Sequence, residues 1–455
     1  MDELLGLPDD ALAALSAADT DDELEQGEDE AAHRACLTKQ EPVEDGNVTH
    51  THRLRMAGGT GGLAKDAFAM SNDGPVQVST VLSVGASSTS GLGVFAERSF
   101  QTGEVVFSER PQVSAPAASS RQHCTWCLRA MLEAPRDLPH PSLWPTTPRQ
   151  VACQGCGAAF CCVTCRNASA AAGHGRCCEP DGSSRVTTFE DCCRELVAMS
   201  PNPAQLISLC RLTFRMMTHI LTAARAEADA GAPDPWGEAL QLYAHLTTGD
   251  DGATGPVHHW CEATALRLCP LAQRALEMTE DESRHLAPEE IGKLLRAAAV
   301  NAVDIRPLSP FADYVHATRA IRRHDGGQLL RELAAHADTL RQTHASLTAT
   351  CVTVDEVADA VYGVSGTALY RLQSKLNHSC DPCVRIVCAF ADSTIDVVAN
   401  RDIARGEELT SSFVGPGLGR AAQHRLLRDC YGVDPCRCSA CVQVSSMALL
   451  RGAAA

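Results

Sequence analysis

Apolar and polar residues alternate from Val76 to Val84, the two-residue period of a half-buried strand. A glycine-bearing turn follows, Ser90-Gly91-Leu92-Gly93-Val94-Phe95-Ala96. A second turn at Thr102-Gly103-Glu104 leads into another strand, Val105 to Ser108. The period changes in the middle of the chain. Leu206, Cys210, Phe214, Met217 and Leu221 recur every three or four residues, which predicts a helix whose start Pro201 and Pro203 mark. Met216 and Met217 read as core filler within it. Pro233-Asp234-Pro235 and Gly249 to Gly255 read as loops, and His258-His259 beside Cys261 also reads as a loop. Two β-rich runs, Val384 to Phe390 and Ile395 to Ala399, lie near the C-terminal end, followed by Gly406-Glu407-Glu408-Leu409-Thr410.

The first seventy residues lack any sustained period. Residues 1 to 45 hold fifteen Asp and Glu against Arg34 and Lys39, so this stretch carries −13 of the net charge of −17. It reads as a solvated, disordered extension, with one short helix around Asp9 to Leu15 that places Leu12 and Leu15 on one face. Gly58 to Gly62 lacks the Gly-Lys-Ser/Thr ending of a phosphate loop and reads as linker. The rest is close to neutral and, in a chain of 455 residues with 45% hydrophobic content, long enough for two to four domains. No apolar run has the length of a membrane span and Met1-Asp2-Glu3 is unlike a signal peptide, so a cytoplasmic or nuclear protein is expected. No basic stripe with interleaved aromatics appears, so direct nucleic-acid binding is not expected.

In that reducing setting the 23 cysteines should be thiolate ligands or buried thiols. Four pairs follow one another: Cys124-x2-Cys127, Cys153-x2-Cys156, Cys161-x3-Cys165 and His174-x3-Cys178. Structural zinc takes four thiolate or imidazole ligands, and a pair spaced by two or three residues grips one ion from a single turn. Eight ligands therefore make two closed sites. Far downstream, Cys436-x-Cys438-x2-Cys441 supplies three ligands and needs a fourth from elsewhere. Once one more cysteine is set aside for that fourth position, the remaining twelve, among them Cys192, Cys193, Cys210, Cys261 and Cys388, read as core residues.

The paired ligands resemble a MYND finger, down to the aromatic-Cys step at Phe160-Cys161. In that finger the pairs are cross-braced. The resemblance implies Cys124, Cys127, Cys161 and Cys165 on one ion and Cys153, Cys156, His174 and Cys178 on the other, with Cys162 and Cys177 close enough to substitute. The string Leu376-Asn377-His378-Ser379-Cys380-Asp381-Pro382, followed by Gly406-Glu407-Glu408-Leu409 and Cys436-x-Cys438-x2-Cys441, resembles a SET domain with its post-SET zinc. Cys380 is then the fourth ligand. The order as a whole resembles the SET-and-MYND protein-lysine methyltransferases. It is closest to their fifth-numbered branch, given the long gap from Cys127 to Cys153 with Leu138-Pro139-His140-Pro141 inside it and a chain that ends soon after Cys441. Val315-His316-Ala317 and Leu372-Gln373-Ser374 share that likeness.

The resemblance implies an α+β fold: a β-rich SET domain split by an inserted MYND finger, plus a helical insert and a post-SET zinc site. The corresponding segments are an acidic tail and linker (1–70), the SET N-terminal part (71–120), the finger (121–180), the helical insert (181–295), the SET core (296–415), the post-SET segment (416–442) and a short tail (443–455). It implies methyl transfer from S-adenosylmethionine to a lysine of a histone or a non-histone, for instance ribosomal, protein, by a monomer carrying three zinc ions. Donor contacts map onto Gly91, Leu92, Gly93, Asn301, Asn377, His378 and Phe413; the catalytic pair maps onto Tyr431 and Phe413. Two positions depart from the family. Phe413 stands where a second tyrosine is usual, and Cys383 where asparagine is common. The lost hydroxyl at Phe413 leaves a second reading open, a weak or inactive interaction module.

Overall fold

The computed structural model describes residues 76–77, 81–89, 91–117, 122–177, 203–246, 256–321 and 361–442, apart from positions 137, 139, 416 and 417, together with short pieces between 331 and 339. The acidic tail, the helix expected near Asp9, the glycine linker, Ser90, Cys178, Cys192, Cys193 and the stretch from Gly249 to Gly255 lie outside the described residues.

Five strands open the described chain: β1 (Val76–Gln77), β2 (Leu82–Ala86), β3 (Leu92–Ala96), β4 (Val105–Glu109) and β5 (Val113–Pro116). The single strand expected from Val76 to Val84 is instead a hairpin, with Val76 facing Val84 across the β1–β2 pair. Both arms share the same alternation, so the period alone does not show where the chain reverses. A two-stranded ribbon, β6 (Val151–Ala152) and β7 (Ala159–Phe160), and helix α1 (Val163–Ala171) form the cysteine-bearing segment.

Helices follow: α2 (Pro203–Asp229), α3 (Pro235–Leu240), α4 (Pro256–Ala275), α5 (Glu280–His285) and α6 (Pro288–Asn301). The helix expected from the Leu206–Leu221 spacing is α2, and Cys210, Phe214, Met216, Met217 and Leu221 are all in its core. His258 and His259 are helical, contrary to the loop expected there. Cys261, Ala265, Leu268 and Ala272 make a buried stripe along α4 that overrides the polar pair at its start, and His258 Nε2 lies 3.1 Å from Glu262 Oε1 one turn on. In the Pro233-Asp234-Pro235 loop, Asp234 accepts from the Gly237 amide and caps α3, with Pro235 at its first turn.

The chain then returns to strand: β8 (Val303–Ile305), helix α7 (Pro310–Ile321), β9 (Gly366–Leu369), β10 (Asn377–His378), β11 (Val384–Val387), β12 (Ile395–Ala399), β13 (Glu408–Ser411), and finally helix α8 (Arg420–Tyr431). The run expected to Phe390 leaves strand geometry after Val387. Strands from the two ends of the chain pair with each other. One sheet runs β1-β2-β3-β13-β10, a second β11-β12-β4 and a third β5-β9-β8. Val94 faces Leu409, Phe107 faces Val397 and Ala115 faces Thr367. The two ends therefore make one folding unit, and residues 118–302 are carried as an insertion within it. β12 is buried at every position, as a central strand must be when both faces are covered.

Two cores result. Val84, Val94, Phe107, Leu376, Val397 and Leu409 fill the strand-built one; α2, α4 and α6 share the other. Arg215 of α2 reaches the carbonyls of Ser114 in β5 and Thr125 in the cysteine segment, the latter at 3.1 Å. The long gap between the first two cysteine pairs folds onto α7. Trp144 packs against Phe311 and Tyr314 at ring separations of 6.4 and 6.1 Å, and its indole nitrogen donates to the Leu132 carbonyl at 3.0 Å.

Candidate functional site

Turns, not long-range strands, bring the first cysteines together. Leu128 at φ +59 and Gly157 at φ +70 close the two loops that carry Cys124-x2-Cys127 and Cys153-x2-Cys156. Cys124, Cys127, Cys161 and Cys165 converge so that their sulfurs lie within 4.8 Å of one another. Four sulfurs held about 2.3 Å from one zinc stand about 3.8 Å apart, whereas a disulfide needs about 2.05 Å. The observed separations, 3.6 Å for Cys127–Cys161 and 3.5 Å for Cys161–Cys165, fit the metal. Cys153, Cys156 and His174 make a second group, with Cys156 Sγ 3.4 Å from His174 Nε2; the fourth ligand expected there, Cys178, lies outside the described residues. Burial, with the Arg215 charge nearby, pushes His174 down to about 4, which keeps it in the neutral form a metal needs. Phe160 is fully buried and stands edge-on to this imidazole, 5.4 Å away. Cys162 is exposed and caps α1 by accepting from the Cys165 amide.

Cys380, Cys436, Cys438 and Cys441 form the third group, with Cys380 Sγ 3.6 Å from Cys441 Sγ and 4.0 Å from Cys436 Sγ. Although burial raises it, the Cys438 thiol is pulled down to about 7 by amides directed at its sulfur, that of Cys380 among them at 3.5 Å. His424 Nε2 lies 3.3 Å from Cys441 Sγ, a contact that the cysteine spacing does not announce.

The candidate pocket residues meet where β13 runs between β3 and β10. Asn377 and His378 pair in parallel with Thr410 and Ser411. Asn377 Nδ2 donates to the Leu92 carbonyl at 3.2 Å and to Glu408 Oε1 at 2.8 Å. The two glycines serve different ends. Gly91 takes the left-handed conformation, φ +51. Gly93 makes room for protein: a Cβ there would land on the Glu408 carboxylate, which also accepts from Ser87 Oγ at 3.0 Å. Phe413 lies just past β13, its amide donating to His378 Nδ1 at 3.1 Å. Tyr431, the last residue of α8, donates its hydroxyl to the Phe413 carbonyl at 3.0 Å. The three rings follow one another at a tilt, His378 to Phe413 at 5.3 Å and Phe413 to Tyr431 at 5.0 Å. Burial pushes His378 down to about 4, helped by His424, and raises Tyr431 above the usual phenol range. Asn301 differs from the rest: it is buried at the end of α6, and its amide nitrogen donates to the Ala297 carbonyl of its own helix at 2.8 Å. Its helix packs against α8. Cys383 is fully buried and its sulfur accepts from the Thr410 amide at 3.2 Å, which ties the start of β11 to β13.

Two buried charges support this arrangement, and the sequence pattern gives no hint of either. Glu109, at the end of β4, accepts the amides of Arg371, Leu372 and Gln373 at 2.8 to 2.9 Å. It thereby caps the turn that leads into Asn377. Burial raises its carboxyl to about 7 against the pull of those three donors. Lys375 is buried, donates to the His245 carbonyl of the helical insert, and is lowered by burial to about 8.

Residues 91–414 match the SET domain. Protein-lysine N-trimethyltransferase SMYD5 of Danio rerio is 25% identical over 378 residues, which cover 77% of this chain and 84% of that protein. The SMYD5 of Homo sapiens is 24% identical over 385 residues, covering 78% and 85%. Histone-lysine N-methyltransferase ATXR2 of Arabidopsis thaliana is 25% identical over 339 residues, covering 68% and 66%. Likeness along most of the chain agrees with the branch suggested by the Cys127–Cys153 gap.

Proposed function

The chain belongs to the SET-domain family, and we propose that it is a protein-lysine methyltransferase whose reaction takes place beside Phe413 and Tyr431. Relatives named as protein-lysine and histone-lysine methyltransferases support lysine methylation on proteins, and a histone or another, for instance ribosomal, protein is the substrate class. The observation that carries the site is the convergence of Asn377, His378, Phe413 and Tyr431 on the end of β13, beside the Leu92 carbonyl.

Gly91 to Gly93 and Asn377 would hold S-adenosylmethionine, which would supply an electrophilic methyl. The protein's task is to present a neutral lysine in line with it. A free lysine amine has a pKa near 10.4, so deprotonating it at pH 7 costs about 4.6 kcal/mol. A lysine held against the rings of Phe413 and Tyr431, 5.0 Å apart, would sit in apolar surroundings that disfavour the ammonium and lower that cost. The Tyr431 hydroxyl donates to the Phe413 carbonyl, which leaves its oxygen lone pairs to accept from the amine and hold it aligned. Asn301 completes the donor site from the end of α6.

The three cysteine groups each hold zinc, two of them in a MYND-type finger inserted between β5 and α2 and one in the post-SET segment. Elemental analysis should find three zinc ions per chain; two or fewer in freshly purified protein would contradict the assignment. The activity itself is tested by incubating the purified chain with methyl-labelled S-adenosylmethionine and a protein extract, then mapping the label. Label on lysine supports the reading. Donor binding without transfer to any lysine favours the alternative that Phe413 raises, an interaction module.

A further inference from the structure

His378 engages both ring nitrogens, on opposite sides. Nδ1 lies 3.1 Å from the Phe413 amide nitrogen. A backbone N–H can only donate, so Nδ1 is an acceptor without a proton, and in a neutral imidazole the proton then sits on Nε2. Nε2 lies 3.4 Å from Cys380 Sγ. An N–H facing a ligating thiolate is the kind of outer contact that offsets the sulfur's charge and fixes the ligand's orientation. Beyond Phe413 the connection continues, because its carbonyl accepts the Tyr431 hydroxyl at 3.0 Å. Cys380 Sγ, the imidazole, the main chain of Phe413 and the Tyr431 hydroxyl thus form one unbroken path. The segment it crosses needs such a hold. Strand β13 ends at Ser411, and Ser412 is exposed, so the Phe413 peptide lies beyond the sheet ladder.

We propose that His378 is a positioning residue, whose ring ties the Cys380 thiolate of the post-SET cluster to the Phe413 peptide and so sets the direction of the Tyr431 hydroxyl. This rests on the reading of Tyr431 as the residue that meets the lysine amine. With both nitrogens engaged within the protein, the donor molecule can touch His378 only through its main chain or ring face. Loss of the ring should therefore slow turnover more than it weakens donor binding. It should also loosen one metal ion and leave the finger's ions alone.

The test uses the zinc-loaded full chain. With nitrogen-15 histidine, the imidazole signals absent from His378→Gln are those of His378, and they should report the Nε2-protonated tautomer. His378→Gln keeps an N–H that reaches towards Cys380 but offers Phe413 no acceptor. His378→Asn keeps the acceptor for Phe413 but is too short for Cys380. For the glutamine variant we expect kcat to fall about tenfold or more, with S-adenosylmethionine affinity within about threefold. For the asparagine variant we expect one zinc ion per chain to pass to a colorimetric chelator at least about tenfold faster. A proton on Nδ1, or zinc release from the asparagine variant at the natural rate, overturns the proposal. So does an equal loss of donor affinity and kcat, since a merely structural role would produce it. If the natural chain transfers no methyl, the methyltransferase reading fails, while the tautomer and the zinc release still decide whether the ring links the cluster to Phe413.

Discussion

The Cys124 cluster and the Cys380 cluster present the same four thiols, yet they hold different things together. All four cysteines of the first come from within the inserted segment, which the rest of the protein then grips: Arg215 on the Thr125 carbonyl, the Ser393 amide on the Cys127 carbonyl at 2.8 Å, and Arg129 on Asp392 at 3.3 Å. The second cluster takes Cys380 from the bend just after β10 and its other three cysteines from beyond α8, the helix that ends in Tyr431. A metal in the first would close a local loop. In the second it would join two walls of one site, so the identity of the ligands says less about function than the chain they connect.

Breaking the second cluster should have the largest effect. We expect Cys436→Ser to lower methyl transfer at least about 100-fold, the upper end of what loss of even an outer contact costs a metal site. Cys127→Ser should release an ion from the finger while S-adenosylmethionine affinity stays within a few-fold. Equal losses from the two variants, measured by transfer assay and calorimetry, would erase the contrast.

A smaller effect sharpens the finger side. Gly173 lies at φ +92, and a Cβ there would strike Thr218 and Thr222 of α2. Gly173→Ala should destabilise the finger's seat by about 1–3 kcal/mol in thermal or denaturant unfolding. Donor affinity should be unchanged.

Glu109 adds a pH dependence on the pocket side. Its folded pKa, about 7, stands above the ordinary carboxylate value, so the folded state favours the protonated form. The contribution to stability is complete below about pH 4.5 and is lost as pH rises towards 7, at no more than about 1.4 kcal/mol per pH unit. Stability measured across that window should show this falling component in the natural chain and lack it in Glu109→Gln. An unchanged slope in the variant would remove Glu109 as its source.

The smallest expected effect is none. A chain starting near Ser71 should melt at the same temperature and bind S-adenosylmethionine equally well, because residues 1 to 45 carry charge without a sustained apolar period. A clear drop in either would mean that the acidic segment docks on the domain.

The cysteine groups were readable in the chain because metal geometry imposes short spacings, and Cys124-x2-Cys127 or Cys436-x-Cys438-x2-Cys441 has few other uses. Asn377-His378 and Gly91 to Gly93 were readable through resemblance. What connects them was not. Glu408 fills the space above Gly93, Glu109 reaches backbone amides more than 260 residues away, and Lys375 inserts into the helical insert. Such partners follow from the tertiary pairing of β4 with β12 and β3 with β13, which leaves no local period. The β1–β2 reversal and the helical His258-His259 show the same limit at short range, since one alternation fits two arms and a polar pair can open a helix whose later turns are buried.

The most direct test is methyl transfer by the natural chain beside Phe413→Tyr. The substitution restores one hydroxyl at a ring already 5.0 Å from Tyr431, so packing should survive. One well-placed hydrogen bond in a dry site is worth roughly 1.5–4 kcal/mol, or about ten- to a thousand-fold in rate. We expect the natural chain to methylate lysine slowly and the tyrosine variant to do so at least about tenfold faster, with S-adenosylmethionine affinity little changed. If both proteins bind the donor and neither transfers methyl to any lysine, this is not the site of a methyltransferase.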